Sequence, residues 1–514
     1  MSDSNSPMTL EEFRRLTELL ESIAQDSNVF SKMPEDEQIR FKKAAGQVVY
    51  PDKRLIERRN KLNKRARHAA KQLQDRAARA ATEIRTARLQ SVFVPPPTRQ
   101  LEISDASSAP ADVTGKMIKP RYCYVCKAEY YDIHFFYDSM CLPCARFNYS
   151  KRSQTARLDG RVAVITGARL KIGYHAALMM LRAGARVIVT TRFPQDSAIR
   201  YSREPDYPEW RDRLQIHGLD LRHSPSVETF TRYLNQNLDR LDILINNAAQ
   251  TVRRPPAFYS HMMEVEALAT KDLPPDARVL LRGHEECKAA FTGAPGTAWL
   301  SEWHENKPHP ALGLVSSAAL SQIPYRCDEG VDAHGLFPMG KLDADLQQID
   351  LREKNSWRMT LAEVPTAELL EVQLVNSVAP FILCSKLKPL MMRDRTDEKH
   401  VVNVSAMEGK FNRFTKTDKH PHTNMAKAAL NMMTLTSARE YAQDGIFMNA
   451  VDTGWVTDED PAALSLRKQE EHDFHPPLDI VDGAARVCDP FFSGLITGQH
   501  SYGNFLKDYA PTSW

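Results

Sequence analysis

The chain has too little glycine and proline, 21 and 31 of 514 residues, for a fibrous or low-complexity protein. It also lacks any run approaching the roughly 18 apolar residues that a membrane-spanning helix requires. The opening MSDSNSPMTLEEF has neither the basic nor the apolar region of a secretory signal. Eight cysteines are too few for a disulfide framework in a chain this long. Four of them stand in two CxxC pairs, which in a reducing compartment suggests metal. With 42% hydrophobic and 26% charged residues, what remains is a globular protein of two to four domains, expected in the cytoplasm.

The net charge of +3 conceals an asymmetry, because thirteen Lys/Arg face three Asp/Glu between Lys53 and Leu89. An acidic partner would have to bind there and nowhere else. The segment has no interleaved aromatics for base stacking, so nucleic acid is an unlikely ligand. Its Leu/Ala positions (Leu55, Leu62, Ala66, Ala69, Leu73, Ala77, Ala80, Ile84) approach a heptad seam. That pattern favours a long helix packed on the body of the protein, on a second copy or on a protein partner. Thr9 followed by Glu12 reads as a capping box opening an earlier helix, with Leu16, Leu19, Leu20 and Ile23 on one face.

Four regions are expected: a helical, basic extension over 1–98, closed by the prolines at 95–97; a linker over 99–119; a cysteine module over 120–150; and an α/β domain over 151–514. Cys123, Cys126, Cys141 and Cys144 have the spacing of two turns that aim four thiolates at one ion. Such a tetrahedral set suits structural Zn²⁺ and leaves no open coordination position. A redox dithiol pair or unrelated buried thiols are the alternatives. His134 is read as a core or surface residue.

In the last region, Val162–Thr166 reads as a strand that runs through Gly167 and Ile172-Gly173 into a helix. This pattern places backbone N–H groups and a helix N-terminus against a pyrophosphate. The next strand ends in Arg192, where a carboxylate would hold a ribose 2′-hydroxyl. With Arg169 and Lys171 in the loop, this cation argues for NADP(H) over NAD(H).

The whole set resembles a short-chain dehydrogenase/reductase. TGARLKIG (166–173) is similar to that family's glycine motif, Asp220 to its adenine-side aspartate, and LDILINNAAQ (241–250), with Asn247 and Ala248, to its NNAG motif. Asn376 matches the asparagine that holds a proton-relay water in the family. Lys427 matches its active-site lysine, and Asn449–Thr457 the segment that touches the nicotinamide. The resemblance covers about 158–514 and implies a Rossmann-like, doubly wound parallel sheet with an insertion at about 251–355. It further implies hydride transfer on a carbonyl or alcohol substrate whose identity the sequence does not name.

Two departures fall on the chemistry. Four residues before Lys427, where the family has its tyrosine, stands Thr423. The family's second serine is Ala406, which leaves Ser405 at the first position. Lys171 replaces the middle glycine of the phosphate loop. Three outcomes are open: an oxidoreductase using His420 or His422 as proton donor, a non-catalytic NADP(H)-binding scaffold or redox sensor, or an enzyme of another class such as a lyase or isomerase.

Overall fold

The computed structural model describes residues 8–26, 28–50, 52–96, 112–292, 310–328, 332–413 and 415–514. The expected linker at 99–111, and 293–309 and 329–331 of the expected insertion, lie outside these. The chain forms two compact units, Met1–Gln74 and Asp75–Trp514. The first is helical, with helices Leu10–Gln25, Asn28–Ser31 and Glu35–Val49 and most of Lys53–Ala80. Thr9 and Glu12 form the reciprocal capping box at its start. Leu16, Leu19, Leu20 and Leu62 are all exposed.

The basic run is not one continuous helix to the prolines. It breaks at Ala81–Thr82 and resumes as Glu83–Arg88. The cause is tertiary: the N–H groups of Glu83 and Ile84 donate to the carbonyls of Phe135 and Phe136, at 3.0 and 3.2 Å. Four of the thirteen cations are also occupied. Arg79 and Arg85 pair with Asp473, Arg85 also with Asp138, and Arg76 and Arg88 donate to carbonyls of the 470–478 segment.

In the second unit, strands β1 (Val113–Tyr122) and β2 (Glu129–His134) make an antiparallel pair, so the chain is already strand from 113 where a linker was expected to 119. Eight strands then form one sheet: β3 (Val162–Thr166), β4 (Arg186–Thr191), β5 (Leu214–Gly218), β6 (Ile243–Asn246), β7 (Lys399–Ser405), β8 (Ile446–Asp452), β9 (Phe505–Lys507) and β10 (Ala510–Thr512). Their order is β10-β9-β8-β7-β6-β3-β4-β5, and every pairing is parallel except β10 on β9. The near-continuous Val/Ile/Leu runs of β3 and β4 follow from burial on both faces. Helices Lys171–Arg182 and Ile480–Thr497 supply one apolar layer, and Ser224–Asn237 and Ala379–Met392 supply the other.

Two features depart from the sequence reading. The helical run Thr366–Met392 is long and apolar enough to cross a membrane by length and composition. It carries buried Leu383, Leu387 and Leu390 in the second layer of the core. The insertion, whose sequence reads as poor in long periodic segments, also holds an 18-residue helix: Pro275–Thr292 packs along β5, where His284 Nδ1 accepts from Gly218 N–H at 3.3 Å. A covered edge cannot template pairing with another chain.

Candidate functional site

The sheet order reverses between β4 and β6, on either side of β3. The loops at their carboxyl ends open a cleft of about 1280 Å³ there, as expected at a switch point of an open α/β sheet. Its floor is tied by Thr166 and Asn247. Thr166 Oγ1 accepts from the N–H groups of Asn247 (3.1 Å) and Ala248 (3.0 Å), while Asn247 Nδ2 donates to the carbonyls of Thr166 (2.9 Å) and Gly167 (3.0 Å). Gly167 has φ +68°, and a Cβ there would meet Ala248 Cα at 2.8 Å. A Cβ on Gly173 would stand 2.4 Å from Asn247 Nδ2 and 2.5 Å from the Gly167 oxygen. Both glycines are therefore required by close approach. Lys171 lies in the left-handed region, at φ +57° and a cost of roughly 1–2 kcal/mol. Its Nζ lies 3.5 Å from Asp345, and Ile172 beside it lines the cleft.

The three cations of the sequence argument have different fates. Arg169 is paired with Asp196 at 2.7 Å and Lys171 with Asp345. Arg192 makes no close ion pair among the described residues, although its charge acts on the Asp220 carboxylate. Its guanidinium donates to Tyr259 Oη at 2.7 Å and lies 4.6 Å from the centre of that ring. Tyr259 comes from the helix Pro256–Glu266, inside the expected insertion. Asp220 reaches the cleft wall, but its carboxylate is already bonded by Arg222 at 2.6 Å.

Behind the other end of the cleft, and not among its lining residues, Asn376 is buried in a single π turn, Leu374–Val378, within the long helical run. Its side chain clamps Gln250 in both directions, Oδ1 accepting from N–H (2.7 Å) and Nδ2 donating to the carbonyl (3.0 Å). Such turns often mark functional positions. Ser405 Oγ donates to Asn431 Oδ1 at 2.5 Å, while Ala406 faces the cleft beside it. Lys427 is buried, donates to the Val404 carbonyl at 2.8 Å, and is pushed down to about 8 by burial against the pull of Glu408.

The helix Pro421–Gln443 separates the candidate proton donors. Thr423 is buried, its hydroxyl has no hydrogen-bond partner among the described residues, and it does not line the cleft. His422 is likewise buried away from the cleft, with Nε2 3.6 Å from Glu368. His420 does line the cleft. Its ring stacks on Trp357 at 3.9 Å, and Nδ1 donates to the Trp357 carbonyl at 2.9 Å, which leaves Nε2 to exchange a proton. Burial lowers its pKa, with the Trp357 carbonyl acting in opposition. Thr457 Oγ1 donates to Glu459 at 2.8 Å within the loop that follows β8. Residues that the sequence did not single out also line the cleft: Asn424, Tyr259, Trp357 and Tyr124. Asn424, three residues before Lys427, was reachable from helical spacing. Tyr259 and Trp357 come from a stretch without a motif, and nothing local marks them.

The sulfur atoms of Cys123, Cys126, Cys141 and Cys144 all lie within 4.8 Å of one another, with Cys126 and Cys141 at 3.6 Å. Tetrahedral Zn–S bonds of about 2.3 Å would put sulfurs about 3.8 Å apart, so the cluster fits such an ion. The Ala128 N–H holds the Cys126 thiol down at about 7. His134 is fully buried and accepts from the Phe136 and Tyr137 N–H groups, taking no part in the cluster. The surrounding aromatic core joins the body through Arg152, which is buried with Asp479 and Asp482 at 2.6 and 2.9 Å.

Residues 161–269 match a family model described as short chain dehydrogenase, and 338–476 one described as enoyl-(acyl carrier protein) reductase. Residues 270–337 fall between the two matches, a narrower gap than the insertion expected at 251–355. An uncharacterized protein of Acanthamoeba polyphaga mimivirus is 28% identical over 384 residues, 72% of this chain and 71% of its own. An uncharacterized oxidoreductase of Bacillus subtilis is 26% identical over 44% of this chain and 93% of its own. A short chain dehydrogenase/reductase of Colletotrichum higginsianum is 39% identical over 100 residues, 19% of this chain and 24% of its own. Among solved structures, the short chain dehydrogenase from Shigella flexneri aligns at TM-score 0.40 and 16% identity, covering 70% of this chain and 95% of its own. Both family matches lie in the α/β part of the chain, which over residues 161–269 is similar to the short-chain dehydrogenases.

Proposed function

We propose that the protein is an NADP(H)-dependent oxidoreductase acting on a carbonyl or alcohol, with a histidine in place of the family's tyrosine. The observation that carries this reading is Arg192, a cation in no close ion pair among the described residues, at the end of β4 and held in the cleft by Tyr259. The tight Gly167–Gly173 turn would cradle the pyrophosphate, and Arg192 would take the 2′-phosphate. The nicotinamide, when bound, supplies or accepts the hydride. Lys427 would bind ribose hydroxyls, and His420 Nε2 would exchange the substrate proton from the Trp357 side of the cleft. Zn²⁺ at the four cysteines would be structural, in keeping with a reducing, cytoplasmic compartment.

Titration of the full-length protein with NADPH and NADH tests the cofactor assignment. An arginine–phosphate pair contributes roughly 1.5–3 kcal/mol, so NADPH should bind about ten- to a hundredfold more tightly, with the preference lost in Arg192→Ala. Equal affinities in the parent protein, or an unchanged ratio in the variant, would overturn it.

A further inference from the structure

The first CxxC turn does more than carry two ligands. Between Cys123 and Cys126 it bears Tyr124, whose side chain leaves the cysteine module and enters the wall of the cleft. Tyr124 Oη accepts from the Trp455 N–H at 3.0 Å and lies 3.2 Å from where a Cβ on Gly454 would stand. Gly454 and Trp455 belong to the loop that leaves β8, and this loop lines the cleft from Asp452 to Asp460. From the far side, Lys507 Nζ approaches to 5.3 Å from the Tyr124 ring centre while pairing with Asp508 at 2.8 Å. The apolar core of the module also includes Val456 from this loop and has Ile172 of the phosphate loop packed against it.

On its own side Tyr124 packs against the module core, its carbonyl accepts from Lys127 Nζ, and the Lys127 N–H closes the turn on the Cys123 carbonyl at 3.1 Å. The Tyr124 backbone N–H donates to Ser139 O at 2.8 Å, and Cys123 N–H to Ala128 O at 2.9 Å. Past these bonds the turn continues through Cys126, which is exposed, and Lys127 in the left-handed region at φ +64°. An ion bound by all four sulfurs would join this turn to the start of the helix Leu142–Lys151 and immobilise it.

We propose that Tyr124 is a positioning residue for the nicotinamide half of the cofactor cleft, and that a thiolate-bound metal at the four cysteines sets it in place. Metal occupancy is thereby coupled to the loop Gly454–Val456 through one phenol–amide hydrogen bond and the packing of Val456. The proposal rests on the cofactor reading above for its binding consequence, but not for the coupling of metal to loop.

The experiment uses full-length protein, stripped of metal by a chelator under reducing conditions and titrated with Zn²⁺, alongside Tyr124→Phe and Cys126→Ser. Two ligands are compared: NADPH, and 2′,5′-ADP, which carries the adenosine and 2′-phosphate but no nicotinamide. Removing one hydrogen bond of ordinary strength should weaken NADPH binding on the order of fivefold in Tyr124→Phe while leaving 2′,5′-ADP unchanged. Stripped parent protein should show at least that loss and recover with Zn²⁺, whereas Cys126→Ser should not recover. Independently of any cofactor, Trp455 emission, taken as the difference from Trp455→Phe, should respond to Zn²⁺ in the parent and less in Tyr124→Phe. Trp455 emission indifferent to Zn²⁺, or NADPH and 2′,5′-ADP weakened alike in Tyr124→Phe, overturns the inference. Failure of the parent to bind 2′,5′-ADP overturns the cofactor reading instead, and the emission result then decides the coupling alone.

Discussion

Lys427 should make the protein more stable in alkali than at neutral pH, because burial disfavours its charged form. Lys427 is 3% exposed, and its ammonium donates to the Val404 carbonyl at 2.8 Å. Burial brings its pKa from the usual 10.5 down to about 8, which corresponds to roughly 3 kcal/mol against the charged form in the folded state. The folded pKa is the lower one, so between about 8 and 10.5 the unfolded chain holds more protons and stability rises with pH. Below about 8 the full penalty applies. Replacing Lys427 with Met removes the charge and leaves the Val404 carbonyl unpaired, a loss of about 1 kcal/mol. At pH 7 Lys427→Met should therefore be the more stable protein by about 2 kcal/mol, and by pH 10 that advantage should vanish or reverse. Urea unfolding of both proteins at the two pH values, followed by tryptophan emission, measures the gap while cancelling the other groups that titrate in this range. A gap that is the same at pH 7 and pH 10 would refute the reasoning.

Gly173→Ala should abolish dinucleotide binding, because the new methyl would lie 2.4 Å from Asn247 Nδ2 and 2.5 Å from the Gly167 oxygen, and the loop would have to open; calorimetry with NADPH checks this. If the protein turns over a carbonyl substrate, His420→Gln should remove the limb of its pH–rate profile, which lies below the ordinary histidine value of about 6.5 because burial lowers the pKa. His422→Gln should leave the profile unchanged, since that ring does not line the cleft. A profile altered by the second variant and not by the first would exchange the two assignments.

What was legible in the sequence was local. The glycine turn, the NNAA segment after β6, the lysine of the Pro421–Gln443 helix and the four-cysteine spacing each depend on neighbours a few residues apart. Backbone shape and ligand spacing are encoded at that range. The absent tyrosine and serine were equally visible, as Thr423 and Ala406. The tertiary structure decided which charges remain free and which side chains face the cleft. Arg169, Lys171 and Arg192 look equivalent in sequence, yet Asp196 and Asp345, residues from 27 to 174 positions away, take the first two. His420 and His422 stand two residues apart, but His420 precedes the helix in the left-handed region at φ +41° while His422 lies in its first turn, so one enters the cleft and the other meets Glu368. The break at Thr82, the covering of β5, and Tyr259 beside Arg192 also depend on segments distant in the chain, and Tyr124 at Trp455 bridges 331 residues. Ion pairing and burial are settled by whichever partners folding brings within a few ångströms, and no local pattern carries that information.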